Sequence, residues 1–225
     1  MDLLRDQSVL SDNALEGKTA LICGASRGIG AATARIMAKA GANVILASRS
    51  EEQLNSLLSE ISSLGEGKHQ ILVLDLEDTD SLVGRIQPIL DQGPIHILVN
   101  NAGGPPGGPL LNASVEELAQ PFTRHLHAAH TLVKLLTPGM ILADYGRIIQ
   151  IVSTSVREPI PNLGVSNTPV AQWLPGRNRS RENCIHRLPS TMFFQVLPTQ
   201  NVLAALPNPF MSEQGSRLKP FMTVG

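Results

Sequence analysis

Short apolar runs alternate with amphipathic stretches along the first two-thirds of the chain. Five runs are almost continuously apolar, which is typical of strands that are buried on both faces of a parallel sheet. Each is bounded by glycine, asparagine or a charged residue. The predicted strands are residues 18–23, 43–47, 70–74, 95–99 and 147–152.

The stretches between these strands repeat their apolar residues at helical spacing. Residues 51–64 are the clearest case, because Leu54, Leu57, Leu58 and Ile61 fall on one face. The helices predicted in this way are residues 29–40, 51–64, 81–90 and 115–136. Strands that alternate with helices predict an α/β fold, here a Rossmann doubly wound parallel sheet in a single domain.

The alternating pattern ends near Asn167. Prolines then recur too often for a long helix or a central strand, at positions 169, 175, 189, 198, 207, 209 and 220. We therefore divide the chain into an N-terminal extension (1–16), an NAD(P)-binding Rossmann domain (17–168) and an aberrant tail (169–225). We expect the tail to be disordered and the strands beyond the fifth to be missing.

Composition excludes several classes of protein. A net charge of −1 gives no basic surface for nucleic acid or an anionic membrane. The two cysteines, Cys23 and Cys184, form no metal-binding or disulfide pattern. The first residues lack the apolar core of a signal peptide, and the stretch 132–143 is interrupted by Lys134 and Pro138. The expected location is the cytoplasm.

A glycine-rich loop supplies the first chemical signal. Gly24, Ser26, Arg27, Gly28, Ile29 and Gly30 lie between the first predicted strand and the first predicted helix. Glycines there permit a tight turn and a close approach of the backbone to a pyrophosphate, which the helix N-terminus also attracts. The surrounding strand, helix and second strand make this loop a dinucleotide site rather than a chance turn.

The residue after the second strand favours NADP over NAD. An NAD enzyme carries an acidic residue at this position for the ribose hydroxyls, whereas this chain has Arg49. Arg49 and Arg27 together are suited to hold a 2′-phosphate. The alternative is that both are ordinary solvated arginines.

Taken together, these motifs resemble the short-chain dehydrogenase/reductase family, and most closely its β-ketoacyl (3-oxoacyl) carrier-protein reductases. The resemblance covers residues 17 to about 168 and includes the stretch 146–153. It implies adenine contacts at Asp75 and Leu76, and cofactor contacts along the stretch Asn100, Asn101, Ala102 and Gly103. The implied reaction is hydride transfer between the nicotinamide and the carbonyl or alcohol carbon of a small molecule or acyl thioester.

The same resemblance implies a catalytic serine, tyrosine, lysine and asparagine, of which only the serine is found. Ser153 matches the serine, whereas Ser166 and Val170 stand where the tyrosine and lysine are expected. His125 takes the asparagine position, and its titration near neutrality makes it a candidate acid. Tyr145 precedes the fifth strand and is expected at the wrong end of the sheet.

A metal site on the long helix is not expected. His127 and His130 share a helix face, but His125 points elsewhere and no acidic ligand is near. Relatives pair through this helix as dimers or tetramers, so the resemblance implies a homo-oligomer, although an aberrant tail puts that in doubt for this chain.

The tail is consistent with a shifted reading frame. When each new codon takes the third base of one codon and the first two of the next, the code forces Leu from Asn183–Cys184 and Val from Met192–Phe193. With permitted codon choices, the following residues read Leu-Pro-Gly, which restores the strand and Pro-Gly turn of the family. The change of frame falls near residues 168–170, and position 170 can then encode arginine. Ser166 is unaffected, so the missing tyrosine has another origin.

Overall fold

Six parallel strands form one sheet in the computed structural model, which describes residue 11, residues 13–105, 107–152 and 162–167, and the backbone of residues 192–196. The strands are β1 (Thr19–Cys23), β2 (Asn43–Ser48), β3 (Gln70–Val73), β4 (Ile97–Asn100), β5 (Arg147–Val152) and β6 (Met192–Val196). They lie in the order β3-β2-β1-β4-β5-β6, and every neighbouring pair is parallel. The predicted doubly wound parallel sheet is confirmed.

Helices cover both faces of this sheet. They are α1 (Gly28–Lys39), α2 (Glu51–Ile61), α3 (Leu82–Leu90), α4 (Val115–Phe122) and α5 (Ala128–Leu142). Alternate residues of β1 point to opposite faces, so Ile22 joins the core beneath α1 and α2 while Leu21 joins the core beneath α3 and α5. The near-continuous apolar strands follow from this double burial.

The predicted helix 115–136 is wrong in two respects. It is interrupted by a π-helical turn (Thr123–His127), and it continues to Leu142. The turn follows Pro121, which has no backbone N–H to continue the helical ladder. The helix passes through Pro138 because the fully buried Leu136 and Met140 hold this segment against the sheet.

The expectation that every strand beyond the fifth is missing is also wrong. The backbone of β6 pairs with β5 over five residues, from Ile148–Met192 to Val152–Val196. Aromatic and β-branched residues favour a strand, and pairing satisfies the backbone groups that would otherwise lie along the edge of β5. The edge of β5 is therefore covered by β6 over these five residues.

The last residues of the N-terminal extension pack on the domain. Leu15 is 3% exposed and belongs to the core beneath α1 and α2. Its N–H donates to the carbonyl of Ala40 at 2.8 Å, so this segment is anchored where α1 ends. The rest of the tail assignment (169–191 and 197–225) lies outside the described residues.

Candidate dinucleotide site

A cavity of about 710 Å³ opens at the carboxyl ends of the strands. It lies where the strand order reverses, with β2 and β3 on one side of β1 and β4 and β5 on the other. Such a switch point is where doubly wound sheets bind their ligands. The predicted cofactor residues that line it are Gly24, Ser26, Arg27, Gly28, Ile29, Arg49, Asp75, Leu76, Asn101, Ala102 and Gly103.

The glycine loop needs glycine for three separate reasons. Gly24 has a φ of +60°, and a Cβ there would lie 2.4 Å from the Asn101 carbonyl oxygen. A Cβ on Gly30 would lie 2.2 Å from the Gly24 carbonyl oxygen, so this predicted residue shapes the loop without lining the cavity. Gly28 has a φ of +56° and open space at its Cβ position. The loop is thus fitted to let a phosphate approach the start of α1.

Asn100 is the last residue of β4 and Asn101 follows it, and the two side chains have different hydrogen-bonding environments. The Asn101 side-chain nitrogen donates to the carbonyl oxygens of Cys23 at 3.2 Å and Gly24 at 3.3 Å. Asn100 is buried, and its Nδ2 has no hydrogen-bond partner within the described part of the chain. It does not line the cavity. Asn101 therefore fixes the loop after β1. The side-chain nitrogen of Asn100 remains able to donate a hydrogen bond.

Positive charge gathers beside β2 and β3. Arg49 follows β2, is 68% exposed, and its Nη1 lies 3.9 Å from Oδ2 of Asp75. Asp75 is itself oriented by the backbone N–H of Glu77, which donates to its Oδ1 at 3.0 Å. With Arg27 on the same cavity wall, this end is suited to an anionic group.

Sequence reasoning missed Arg124, which also lines the cavity. It lies in the π-helical turn and forms an ion pair with Glu77. Burial lowers the pKa of Arg124, and the positive charge of Arg49 lowers it further. Pro121 was the one available signal, because a proline within a helix marks an irregular turn.

The candidate acid His125 lies next to the cavity rather than in it. Its imidazole is close enough to the backbone of Gly103, a lining residue, for that backbone to raise its pKa. Burial lowers the pKa of His125, the neighbouring charge of Arg124 lowers it further, and the Gly103 carbonyl partly opposes them. The imidazole is therefore predominantly neutral at pH 7.

Of the other three positions of the expected catalytic set, only Ser166 lies among the described residues. Ser153 and Val170 lie outside the described residues. Ser166 lies in a helical turn over residues 164–167 and is not among the residues that line the cavity. This turn is joined to the glycine- and proline-rich loop after β4, since Gly164 N–H donates to the Gly108 carbonyl at 3.1 Å.

Tyr145 lies at the amino-terminal ends of the strands, opposite the cavity, as the sequence predicts. Its ring receives Lys18 Nζ at 4.4 Å and Arg147 Cζ at 4.7 Å, and it meets His96 edge-to-face. These neighbours precede or begin β1, β4 and β5, whereas the cavity opens at the carboxyl ends of the strands. Tyr145 therefore does not reach the cavity.

Other chemistries find little support in the described residues. Burial raises the pKa of Cys23 to about 12, so its thiol is not a nucleophile at neutral pH. No cluster of histidine, cysteine or carboxylate side chains suited to a metal occurs in the described ranges. Within them, too, no helix has the length and apolar character needed to cross a membrane.

Comparison with known proteins places the similarity on this same part of the chain. The model of the family described as short chain dehydrogenase matches residues 18–166. The ketoacyl reductase HetN of Nostoc sp. is 37% identical over 147 residues, which are 65% of this chain and 51% of that protein. The 3-oxoacyl-[acyl-carrier-protein] reductase FabG of Vibrio cholerae is 34% identical over 159 residues, covering 70% of this chain and 63% of that one.

Solved structures agree in fold. A metagenomic short-chain oxidoreductase in complex with NADP has a TM-score of 0.67 at 32% identity, covering 75% of this chain and 78% of that chain. The L-sorbose reductase of Gluconobacter frateurii, complexed with NADPH and L-sorbose, has a TM-score of 0.70 at 26% identity, covering 76% and 66%. The chain spans about half the length of the first curated relatives it matches.

Proposed function

Because the chain belongs to the short chain dehydrogenase family, we propose that it is an NADP-dependent oxidoreductase. Its reaction is hydride transfer to the carbonyl of a small-molecule ketone or a 3-oxoacyl thioester. The observation that carries the proposal is the cradle made by Gly24, Gly28 and Gly30, which a Cβ would fill or distort. It stands at the N-terminus of α1, where backbone N–H groups attract phosphate.

The preference for NADP rests on the arginines. Arg27 and Arg49 line the cavity, and Arg49 is loosely held and exposed, so its N–H groups are available to a 2′-phosphate. Relatives whose structures contain NADP or NADPH support the same choice. Asn101 holds the loop, while Asp75 and Leu76, which line the cavity, would contact the adenosine half of the cofactor.

Proton transfer is assigned to His125, and orientation of the substrate oxygen to Ser153. When bound, the reduced nicotinamide supplies the hydride to the carbonyl carbon. His125, or a water next to it, then gives a proton to the substrate oxygen, which becomes the hydroxyl of the product. The hydroxyl of Ser166 is too weak an acid to replace a phenol, so we assign it no proton transfer.

A second candidate function is binding of the dinucleotide without turnover. It is favoured by one specific observation: a serine stands at position 166, and Tyr145 lies at the opposite ends of the strands from the cavity. A chain damaged by a change of reading frame would behave in the same way. The family match ends at residue 166, directly before the proposed change near 168–170, and this supports the damaged-chain interpretation.

The experiment measures NADPH oxidation with ketone sugars and 3-oxoacyl thioesters as substrates. The proposal expects turnover that Ser153→Ala abolishes, whereas Ser63→Ala, beyond the end of α2, leaves it unchanged. Binding of NADPH with a flat trace on every substrate would support the non-catalytic candidate instead. Sequencing the coding DNA across codons 166–172 tests the frame separately.

Two further properties are proposed from the family alone. We infer a location in the cytoplasm, and pairing of two copies through α4 and α5, as the family resemblance implies. Size-exclusion chromatography with light scattering tests the second; a monomer at micromolar concentration would contradict it.

A further inference from the structure

Two arginine–carboxylate pairs flank the short loop that follows β3. On one side Asp75 lies near Arg49, and on the other Glu77 binds Arg124. Both arginines line the cavity, but they are held in very different ways. The difference indicates that they recognise different parts of a ligand.

Arg124 is fixed in orientation. Its Nε and its Nη2 both contact Oε1 of Glu77, and Gln120 Nε2 donates to Oε2 of the same carboxylate at 3.3 Å. The side chains of Arg124 and Glu77 are only 19% and 28% exposed. One edge of the guanidinium and its charge are therefore already matched by Glu77.

Besides the N–H groups of Nη1, which Glu77 does not contact, such a guanidinium offers the cavity its planar face. A delocalised planar cation packs well on an aromatic ring, and this contact strengthens where water is excluded. Arg49 differs because it is 68% exposed and lies 3.9 Å from its carboxylate, so its N–H groups remain available to an anion. Arg124 is therefore suited to an aromatic ring and Arg49 to a phosphate.

The position of Arg124 matches the expected position of the purine. A pyrophosphate held at the start of α1 would lie at the carboxyl end of β1, and the ribose would then lie near Arg49, which follows β2. The base would continue in the same direction, toward the end of β3, where Leu74 and Leu76 line the cavity. Resting on the proposed NADP site, we propose that Arg124 binds adenine, with its guanidinium plane, held by Glu77, packed flat on the purine ring.

ADP-ribose is the probe that isolates this contact, because it contains adenine but neither the 2′-phosphate nor the nicotinamide. Calorimetric titration is expected to show affinity about tenfold weaker for both Arg124→Gln and Arg124→Lys. Lysine keeps the charge and the ion pair but has no planar face. NADPH is expected to weaken by the same factor, whereas Arg49→Gln weakens NADPH and leaves ADP-ribose unchanged.

Two controls separate adenine binding from support of the loop. Reduced nicotinamide mononucleotide has no adenine, so the Arg124 variants should bind it as the parent chain does; a loss there would overturn the proposal in favour of a structural role. The double variant Arg124→Gln/Glu77→Gln leaves no unpaired carboxylate and should lose the same factor for ADP-ribose. If the single variant Arg124→Gln fails to fold, the ADP-ribose affinity of this double variant tests the proposal in its place.

The proposal is overturned if Arg124→Lys binds ADP-ribose as tightly as the parent chain, or if the loss is confined to NADPH. The first outcome would mean that charge alone matters, and the second that Arg124 reads the 2′-phosphate. A parent chain that binds neither ADP-ribose nor NADPH would overturn the proposed function itself. Parent binding with unchanged variants would overturn only the role of Arg124.

Discussion

The side-chain nitrogen of Asn101 lies 3.3 Å from the carbonyl oxygen of Gly24, and this contact joins the end of β4 to the glycine loop after β1. The same nitrogen also donates to Cys23. A single amide thereby holds together the two strands between which the sheet order reverses, and sets the shape of the loop from the opposite side of the cavity.

Replacement of Asn101 by leucine should weaken both folding and binding. The two carbonyls lose a donor, which costs about 1–3 kcal/mol of stability in a partly buried position. NADPH affinity should fall because the loop loses its support. Urea unfolding and NADPH titration measure the two effects, and Asn112→Leu, in an exposed turn, is the control. Unchanged stability and affinity in Asn101→Leu would show that the contact is dispensable.

Gly30→Ala should abolish NADPH binding or prevent folding. The added Cβ would lie 2.2 Å from the Gly24 carbonyl oxygen, which is backbone and has no room to move without displacing the loop. Gly84→Ala is the matched control, since Gly84 lies within α3 with open space around it. That control should gain about 0.4–1 kcal/mol, because alanine is the better helix former. Thermal unfolding and NADPH titration compare the pair; equal behaviour would refute the close packing.

Stability should fall on mild acidification, because two histidines accept hydrogen bonds from strand backbones. Thr19 N–H donates to His96 Nδ1 at 3.0 Å, and Val44 N–H donates to His69 Nδ1 at 3.2 Å. Burial lowers the pKa of both below the ordinary value of 6.5, and the charge of Lys18 adds to the lowering at His96. The unfolded chain therefore takes up protons first. The stabilisation is present above pH 6.5 and is lost as the pH falls below it.

Urea unfolding at a series of pH values between 8 and 5 measures this loss. Replacing both histidines with glutamine should reduce the slope of the profile in that range, because glutamine does not titrate; the slope that remains is expected from His125, whose pKa is also lowered by burial. His130→Gln, on the exposed surface of α5, should leave the profile as it is. A parent chain whose stability is constant from pH 8 to pH 5 would contradict this interpretation of His69 and His96.

Reductase activity should also depend on the state of His125. Burial and the charge of Arg124 lower its pKa below the ordinary value of 6.5, so the protonated acid is lost at lower pH than in a free imidazole. With saturating substrate, turnover should rise toward acid pH, and His125→Gln should remove that rise. A turnover profile that His125→Gln leaves unchanged would exclude His125 as the proton donor.

Much of the fold could be predicted from the sequence because both sheet faces are buried. Burial on both sides makes residues 97–99 of β4 continuously apolar, and the glycine loop marks where the first strand ends. The glycine loop was recognisable for a different reason, because a tight turn and close packing restrict the residue type at Gly24 and Gly30.

The elements that were missed depend on tertiary contacts. Residues 137–142 remain helical despite Pro138 because neighbouring side chains are buried, and the backbone of β6 is positioned by pairing with β5. Pro121 marks the irregular turn, but the contact of Arg124 with Glu77 joins residues 47 positions apart and could not be recognised. Local patterns carry no information on such pairs.

The central claim is that this cavity holds NADP rather than NAD, and paired calorimetric titrations with NADPH and NADH test it most directly. The parent chain should bind NADPH at least tenfold more tightly than NADH, since only NADPH offers Arg27 and Arg49 a 2′-phosphate. Arg49→Gln should reduce that preference while NADH affinity stays the same. Equal affinity for the two cofactors in the parent chain, or binding of neither, would contradict the account.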